Sequence, residues 1–130
     1  MPENTGRIPD DRVKSENYGM HYDPRNEKIV EAARAVPDEK WKQLPVVNLP
    51  ARTTLEANED TLKKRSIDKV VNGVEPFREG YVIKLWRDQD AKLHVVDGHH
   101  RVAMYHALGK VVPVRIMDEA DYIRLMGEAK

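Results

Sequence analysis

Leu93-His94-Val95-Val96-Asp97-Gly98-His99-His100-Arg101-Val102-Ala103-Met104-Tyr105-His106-Ala107-Leu108-Gly109 changes its periodicity at one glycine. Before Gly98 the run is short, apolar and β-branched, as in a buried strand. After it, an amphipathic segment from Val102 to Leu108 is closed by Gly109, as a helix C-cap would close it. The layout is strand, glycine turn, helix. Gly98 lets the backbone turn sharply and lets a ligand come close. The first amides of the helix lack intrahelical partners and carry the positive end of its dipole. His99 and His100 add donors, and Arg101 adds a permanent charge in a fork suited to phosphate oxygens. The arrangement suits an anion, foremost a nucleotide phosphate or phosphosubstrate. An ordinary structural role competes with this: Asp97 as an N-cap, Arg101 on a surface carboxylate, two solvated histidines. Four consecutive polar groups at the exit of an apolar strand have no evident packing purpose, and that density favours the anion.

Working outward, Tyr81 to Trp86 reads as a strand and Arg87 to Ala91 as a polar turn, so that Lys92 to Val96 completes a hairpin. Val111 to Ile116 is β-branched and reads as a further strand. Asp118 to Met126 reads as a closing helix capped by Asp118. Upstream, Asn26 to Val36 spaces Ile29, Val30, Ala33 and Val36 on one helical face, and Pro37 stops it. Leu44 to Pro50 reads as a strand between prolines, which favours an edge or strand termini. Thr61 to Asn72 reads as a helix with Leu62, Ile67, Val70 and Val71 inward and Lys63, Lys64 and Arg65 in water, ended by Gly73 with Pro76 beyond it. The fold class is α+β, a small mixed β-sheet flanked by helices. Residues 1–24, broken by Pro2, Gly6, Pro9, Gly19 and Pro24, read as a polar, weakly ordered arm that Tyr18, Met20 and Tyr22 would pin to the body or a neighbouring subunit. Residues 25–130 form a single domain.

The chain's 130 residues include 22 basic and 22 acidic side chains, for a formal net charge of zero. A broadly basic nucleic-acid coat is therefore not indicated. There is no cysteine, which excludes disulfides, thiol catalysis and cysteine-ligated zinc, and fits a cytoplasmic setting. No apolar run approaches membrane-spanning length, so no membrane partner is expected. The first residues, Met1-Pro2-Glu3-Asn4-Thr5-Gly6, lack a secretory signal pattern.

These elements, in this order, resemble the ParB N-terminal/sulfiredoxin-like superfamily over roughly residues 44–117. The resemblance is carried by the early strand Val46 to Leu49, Arg52 just after it, Ser66-Ile67 in a helix, the Gly73-Val74-Glu75-Pro76 turn and the hairpin. The Asp97-Gly98-His99-His100-Arg101 box and its helix, then Val111 to Ile116, complete the set. The resemblance implies a ParB/sulfiredoxin-like sheet and a nucleotide (ATP, ADP or CTP) with Mg²⁺, its phosphates at Gly98, His99, His100 and Arg101. Arg52 lies where family members carry a nucleotide-proximal arginine. The family's members diverge: ParB proteins bind and hydrolyse CTP and load onto DNA, sulfiredoxins repair an oxidised cysteine with ATP, a free-serine kinase uses ADP, and some are described as nucleases. Where sulfiredoxin has its catalytic cysteine this chain has His99, and thiol chemistry is excluded. Where ParB has a glutamate and two arginines, the chain has His99, His100 and Arg101. The kinase box, Asp-Gly-His-x-Arg, matches closest. That kinase relies on a carboxylate base near the first strand, and Glu56 and Glu59 both lie in range without a spacing that selects either.

The expected activity is Mg²⁺-dependent phosphoryl transfer or nucleotide hydrolysis. Arg101 neutralises charge on the phosphoryl oxygens, His99 or His100 donates a hydrogen bond or shuttles a proton, Glu56 is the carboxylate base, and Asp97 assists the metal. Two rivals stand beside it: a non-catalytic DNA-associated or regulatory module with a DNA or protein partner, and a nuclease with Asp97, His99 and His100 as metal ligands. An edge strand and the arm would also permit a homodimer. His94 is expected to hydrogen-bond at the sheet face, His106 to pack or lie at the surface, and Trp41, Trp86 and Tyr105 to fill the core.

Overall fold

In the computed structural model, residues 10–74 and 82–127 are described. The hairpin pairs antiparallel, with Leu85 opposite Val95 and Trp86 opposite His94. In chain order the elements are β1 (Arg12–Lys14), a 3₁₀ turn (Ser15–Tyr18), β2 (Met20–Tyr22), α1 (Asn26–Arg34), α2 (Asp38–Trp41), β3 (Val47–Leu49) and β4 (Leu55–Ala57). They continue with β5 (Thr61–Lys63), α3 (Lys64–Val71), β6 (Ile83–Arg87), β7 (Leu93–Asp97), α4 (His99–Leu108), β8 (Val112–Met117) and α5 (Glu119–Gly127). Six strands form one mixed sheet in the order β2-β4-β7-β6-β8-β3, and β1 pairs with β5 apart from it.

Side chains alternate across the sheet, so β6, β7 and β8 each feed two cores. Ile83, Leu85, Val95, Val112 and Val114 pack with Ile67 of α3 and Val102, Ala103 and Tyr105 of α4. Val96 and Met117 join Val30 and Ala33 of α1, Trp41 of α2 and Leu125 of α5, with Trp86 and Tyr122 packed against them. The sheet is covered on both faces, as the mixed α+β architecture requires. Between prolines, β3 is an edge strand, and its register sets Asn48 against Pro113. The cap on α5 is reciprocal: the Asp121 amide donates to Asp118 Oδ1 at 2.9 Å and the Asp118 amide to Asp121 Oδ2 at 3.3 Å.

Four differences from the local reading share one cause. Residues 12–14 and 20–22, read as part of the arm, are strands: β1 pairs with β5 and β2 runs parallel to β4. Thr61 to Lys63, read as the first turn of a helix, is β5, and Leu55 to Ala57, given no element from the sequence, is β4. Strands of three residues carry too little periodicity to be seen locally, and their partners lie tens of residues away. Val71, placed inward by pattern, is 39% exposed at the end of α3. Residues 1–9, Tyr81 and the Glu75-Pro76 half of the turn lie outside the described residues.

Candidate functional site

The parallel strands β4 and β7 end on the same side of the sheet, and a cleft of about 460 Å³ opens there. Parallel strands commonly present ligands at their carboxyl ends. The walls come from α1 (Glu27, Arg34), from the β4–β5 loop (Asn58, Glu59), from Lys84 of β6, and from Val96 through Arg101. Gly98 takes φ 116°, a conformation that favours glycine and lets β7 turn into α4 within one residue. The Val102 amide closes the first intrahelical bond to the Gly98 carbonyl at 2.9 Å. The N-cap residue is Gly98, which has no side chain to cap the helix. The three amides before Val102, those of His99, His100 and Arg101, are thus the donors that an α-helix start leaves without intrahelical partners. Asp97, the cap expected in the ordinary structural reading, is instead the last residue of β7 and a wall of the cleft.

Both histidines act as clamps. His99 is 4% exposed. Its Nε2 accepts from the Asn58 amide at 3.4 Å, which makes Nδ1 the protonated nitrogen, 3.2 Å from Glu59 Oε2. His100 Nε2 accepts from the Lys63 amide at 2.9 Å, leaving its Nδ1–H as a donor. Burial pushes the His99 imidazole below its ordinary 6.5, against the pull of Glu59. Burial lowers His100 too, opposed by Glu59 and aided by Arg12 and Lys63. Both rings are therefore neutral near pH 7, and each ties α4 to the β4–β5 region. The ring lone pairs that a metal ligand would use accept backbone N–H groups here. Among the described residues no group of three or more His, Asp or Glu is arranged to hold a metal ion.

The opposite wall is an ion pair. Arg34 grips Glu27 through two contacts, Nη1–Oε2 at 2.6 Å and Nη2–Oε1 at 3.3 Å, and the Asn58 side-chain amide donates to the same carboxylate. Arg34 and then Asn58 hold Glu27 below the usual carboxylate range. Asn58 Oδ1 is buried and makes no hydrogen bond.

The structure gathers Asp97, Gly98, His99, His100 and Arg101 at one cleft, and it selects between the two carboxylates. Glu59 lines the cleft; Glu56 lies on β4 and pairs with His21 Nδ1 at 2.8 Å, away from those walls. Glu56 is thereby corrected as the candidate base, because its side chain leaves the sheet beside β2 rather than over the β7–α4 turn. Arg52 is corrected as well. It lies at the other end of α4, with Nε donating to the His106 carbonyl at 3.3 Å, and ten helical residues span about 15 Å.

The pattern reading missed Glu27, Arg34, Asn58 and Lys84. Two signals were present: Glu27 and Arg34 stand seven residues apart, two turns on one helix face, and Lys84 interrupts the apolar run of β6. His94 behaves as expected: 2% exposed, it bonds Asp88 Oδ2 through Nε2 at 2.7 Å. Asp88 also accepts from the amides of Asp90 and Lys92, so the pair pins the hairpin turn. The basic run Lys63-Lys64-Arg65 is exposed, with Lys64 on Asp68 at 3.2 Å. No family model, curated protein or solved structure matches the chain. No helix among the described residues is long and apolar enough to cross a membrane.

Proposed function

We infer that the cleft binds the phosphates of a nucleotide and carries Mg²⁺-dependent phosphoryl transfer or hydrolysis. The observation that carries this reading is the start of α4, with glycine at its N-cap, which opens on a cleft walled by Arg34, Lys84 and Arg101. Backbone amides and the helix dipole favour a phosphate there, and guanidinium groups add charge-assisted bonds. A volume of about 460 Å³ is within the range of small-molecule sites. The resemblance of the Asp97-to-Arg101 box to a ParB/sulfiredoxin-like phosphate loop points the same way.

The walls carry three cations, Arg34, Lys84 and Arg101, against three carboxylates, Glu27, Glu59 and Asp97. With both histidines neutral, the described walls carry as many cations as carboxylates, and Lys84 is shared with Asp38 outside the cleft. A bare polyphosphate meets those carboxylates unfavourably, whereas the magnesium complex does not; Asp97, beside the phosphate loop, is the residue placed to share the metal. Arg101 sits where charge on the transferring phosphoryl oxygens needs a partner. Glu59 is the carboxylate within reach of an attacking hydroxyl or water, and its bond to His99 Nδ1–H orients it. His99 and His100 position these groups rather than shuttle protons, since their Nε2 atoms are engaged.

Calorimetric titration with ATP, ADP and CTP, each with and without Mg²⁺, tests the reading. Wild type binds at least one of them with Mg²⁺, and Arg101→Gln weakens that binding by about tenfold or more, the loss of one charge-assisted bond. Glu59→Gln keeps binding and loses turnover. Binding without turnover in wild type would replace the catalytic reading with the regulatory one. No binding by wild type, or equal binding by Arg101→Gln, rejects the phosphate site.

A further inference from the structure

A second cavity, of about 310 Å³, lies on the sheet face covered by α2 and is lined by Asp38, Trp41, Lys42, Val82, Lys84, Asp97 and Arg115. It shares Lys84 and Asp97 with the phosphate cleft. The strand register explains the shared wall. Lys84 stands opposite Asp97 on one side and aligns with Arg115 on the other, so the three cross β7, β6 and β8 in one row.

Within this row the charges are not equally satisfied. Asp38 takes Lys84 at 3.0 Å and Lys42 at 3.4 Å, and Lys84 also lies 5.7 Å from the centre of the Trp41 ring. Arg115 is held differently. Its Nη1 donates to the carbonyls of Lys42, at 3.1 Å, and Leu44, where α2 gives way to the chain leading to β3. Two backbone acceptors fix the guanidinium without neutralising it. Its Nε and Nη2 make no hydrogen bond or ion pair among the described residues. Among its described lining residues the cavity has three cationic side chains, Lys42, Lys84 and Arg115, and two carboxylates, Asp38 and Asp97.

We propose that this cavity is a carboxylate-binding subsite whose anchoring residue is Arg115. One unmatched positive charge calls for a monoanion. A guanidinium already immobilised through one nitrogen offers its remaining N–H groups in a plane, the geometry a carboxylate accepts from two donors at once. The anchoring bonds also remove most of the rotamer entropy that a free arginine would lose on binding. Val82 and the Trp41 edge supply the apolar wall for the carbon skeleton that carries the group. The subsite stands on residues other than the α4 start and does not require nucleotide binding.

The probe is sodium acetate, read by the side-chain Nε–H signal of Arg115 in ¹⁵N-labelled full chain, with sodium phosphate and sodium chloride at matched ionic strength. Acetate produces a saturating shift of that signal; chloride produces none, and phosphate acts more weakly. Arg115→Gln and, separately, Val82→Trp each weaken the acetate response at the Lys42 and Leu44 amides by about tenfold or more. Val82→Trp fills the cavity and leaves the Arg115 anchors alone, so a folding defect in Arg115→Gln does not decide the result. Arg101→Gln leaves the acetate response in place while reducing nucleotide binding, which separates the two sites. A linear acetate response, one untouched by both cavity variants, or tighter binding of phosphate at the Arg115 signal overturns the proposal.

Discussion

At the start of α4 three amides without intrahelical partners adjoin a cleft, with two neutral histidines holding the surrounding loops in place. At its other end the chain folds back on the last turn. Gly109 and Lys110 donate their amides back to His106 and Tyr105, Arg52 adds a third donor to the last turn, and the His106 ring packs edge-on to Tyr18. One helix thus uses histidine in two ways: to shape an opening, and to fill a gap. Histidine content alone says nothing about which end opens on a cleft; what differs is whether the backbone donors at that end of the helix already have partners.

Four changes sharpen or break that contrast. The largest effect is expected from His99→Ala, which empties a buried site and strips one acceptor from the Asn58 amide and a donor from Glu59. A loss of about 3 kcal/mol in chemical denaturation, with weaker nucleotide binding, is the expected outcome. A near-neutral result would mean that His99 is no clamp. Gly19→Ala attacks the other end of α4. Gly19 has φ +76°, and a Cβ there would sit 2.7 Å from His106 Cδ2. The variant should lose about 2 kcal/mol while nucleotide affinity is retained.

Acid comes next. Because burial holds the folded-state values of His99 and His100 below 6.5, both states of the chain are neutral above that value. Below it the unfolded chain takes up protons first, so stability is fully present above 6.5 and declines as pH falls toward the folded values. The melting temperature should drop between about pH 7 and about pH 5, and the double change His99→Asn with His100→Asn should flatten that slope. The smallest effect is expected from Arg52→Ala: below about 1 kcal/mol, since the bond is exposed, and with unchanged nucleotide affinity. A tenfold affinity loss there would restore Arg52 to the ligand and break the contrast between the two ends.

Much of this fold was legible locally. The hairpin, α4 between two glycines, the proline-bounded β3 and the Asp118 cap each announce themselves within a few residues, because turn chemistry and capping are short-range. Strands β1, β2, β4 and β5 were not legible. Each is three residues long, and parallel or distant pairing leaves no trace in adjacent sequence. The site divides along the same line. Asp97 to Arg101 could be singled out because one turn holds them together. Glu27, Arg34, Asn58 and Lys84 come from three other elements, and only the packing of α1 and β4 against β7 assembles them and chooses Glu59 over Glu56 for the wall.

The amino-acid order by itself determined where a strand becomes a helix at Gly98, since one residue free to adopt a positive φ and the change in apolar spacing around it are properties of the local chain. Tertiary structure alone decided that Arg52 lies at the end of α4 away from the cleft, that Glu59 rather than Glu56 reaches the cleft, and that both histidines are neutral. Those outcomes depend on which backbone amides and carboxylates arrive from distant strands, and on how deeply the rings are buried when they do.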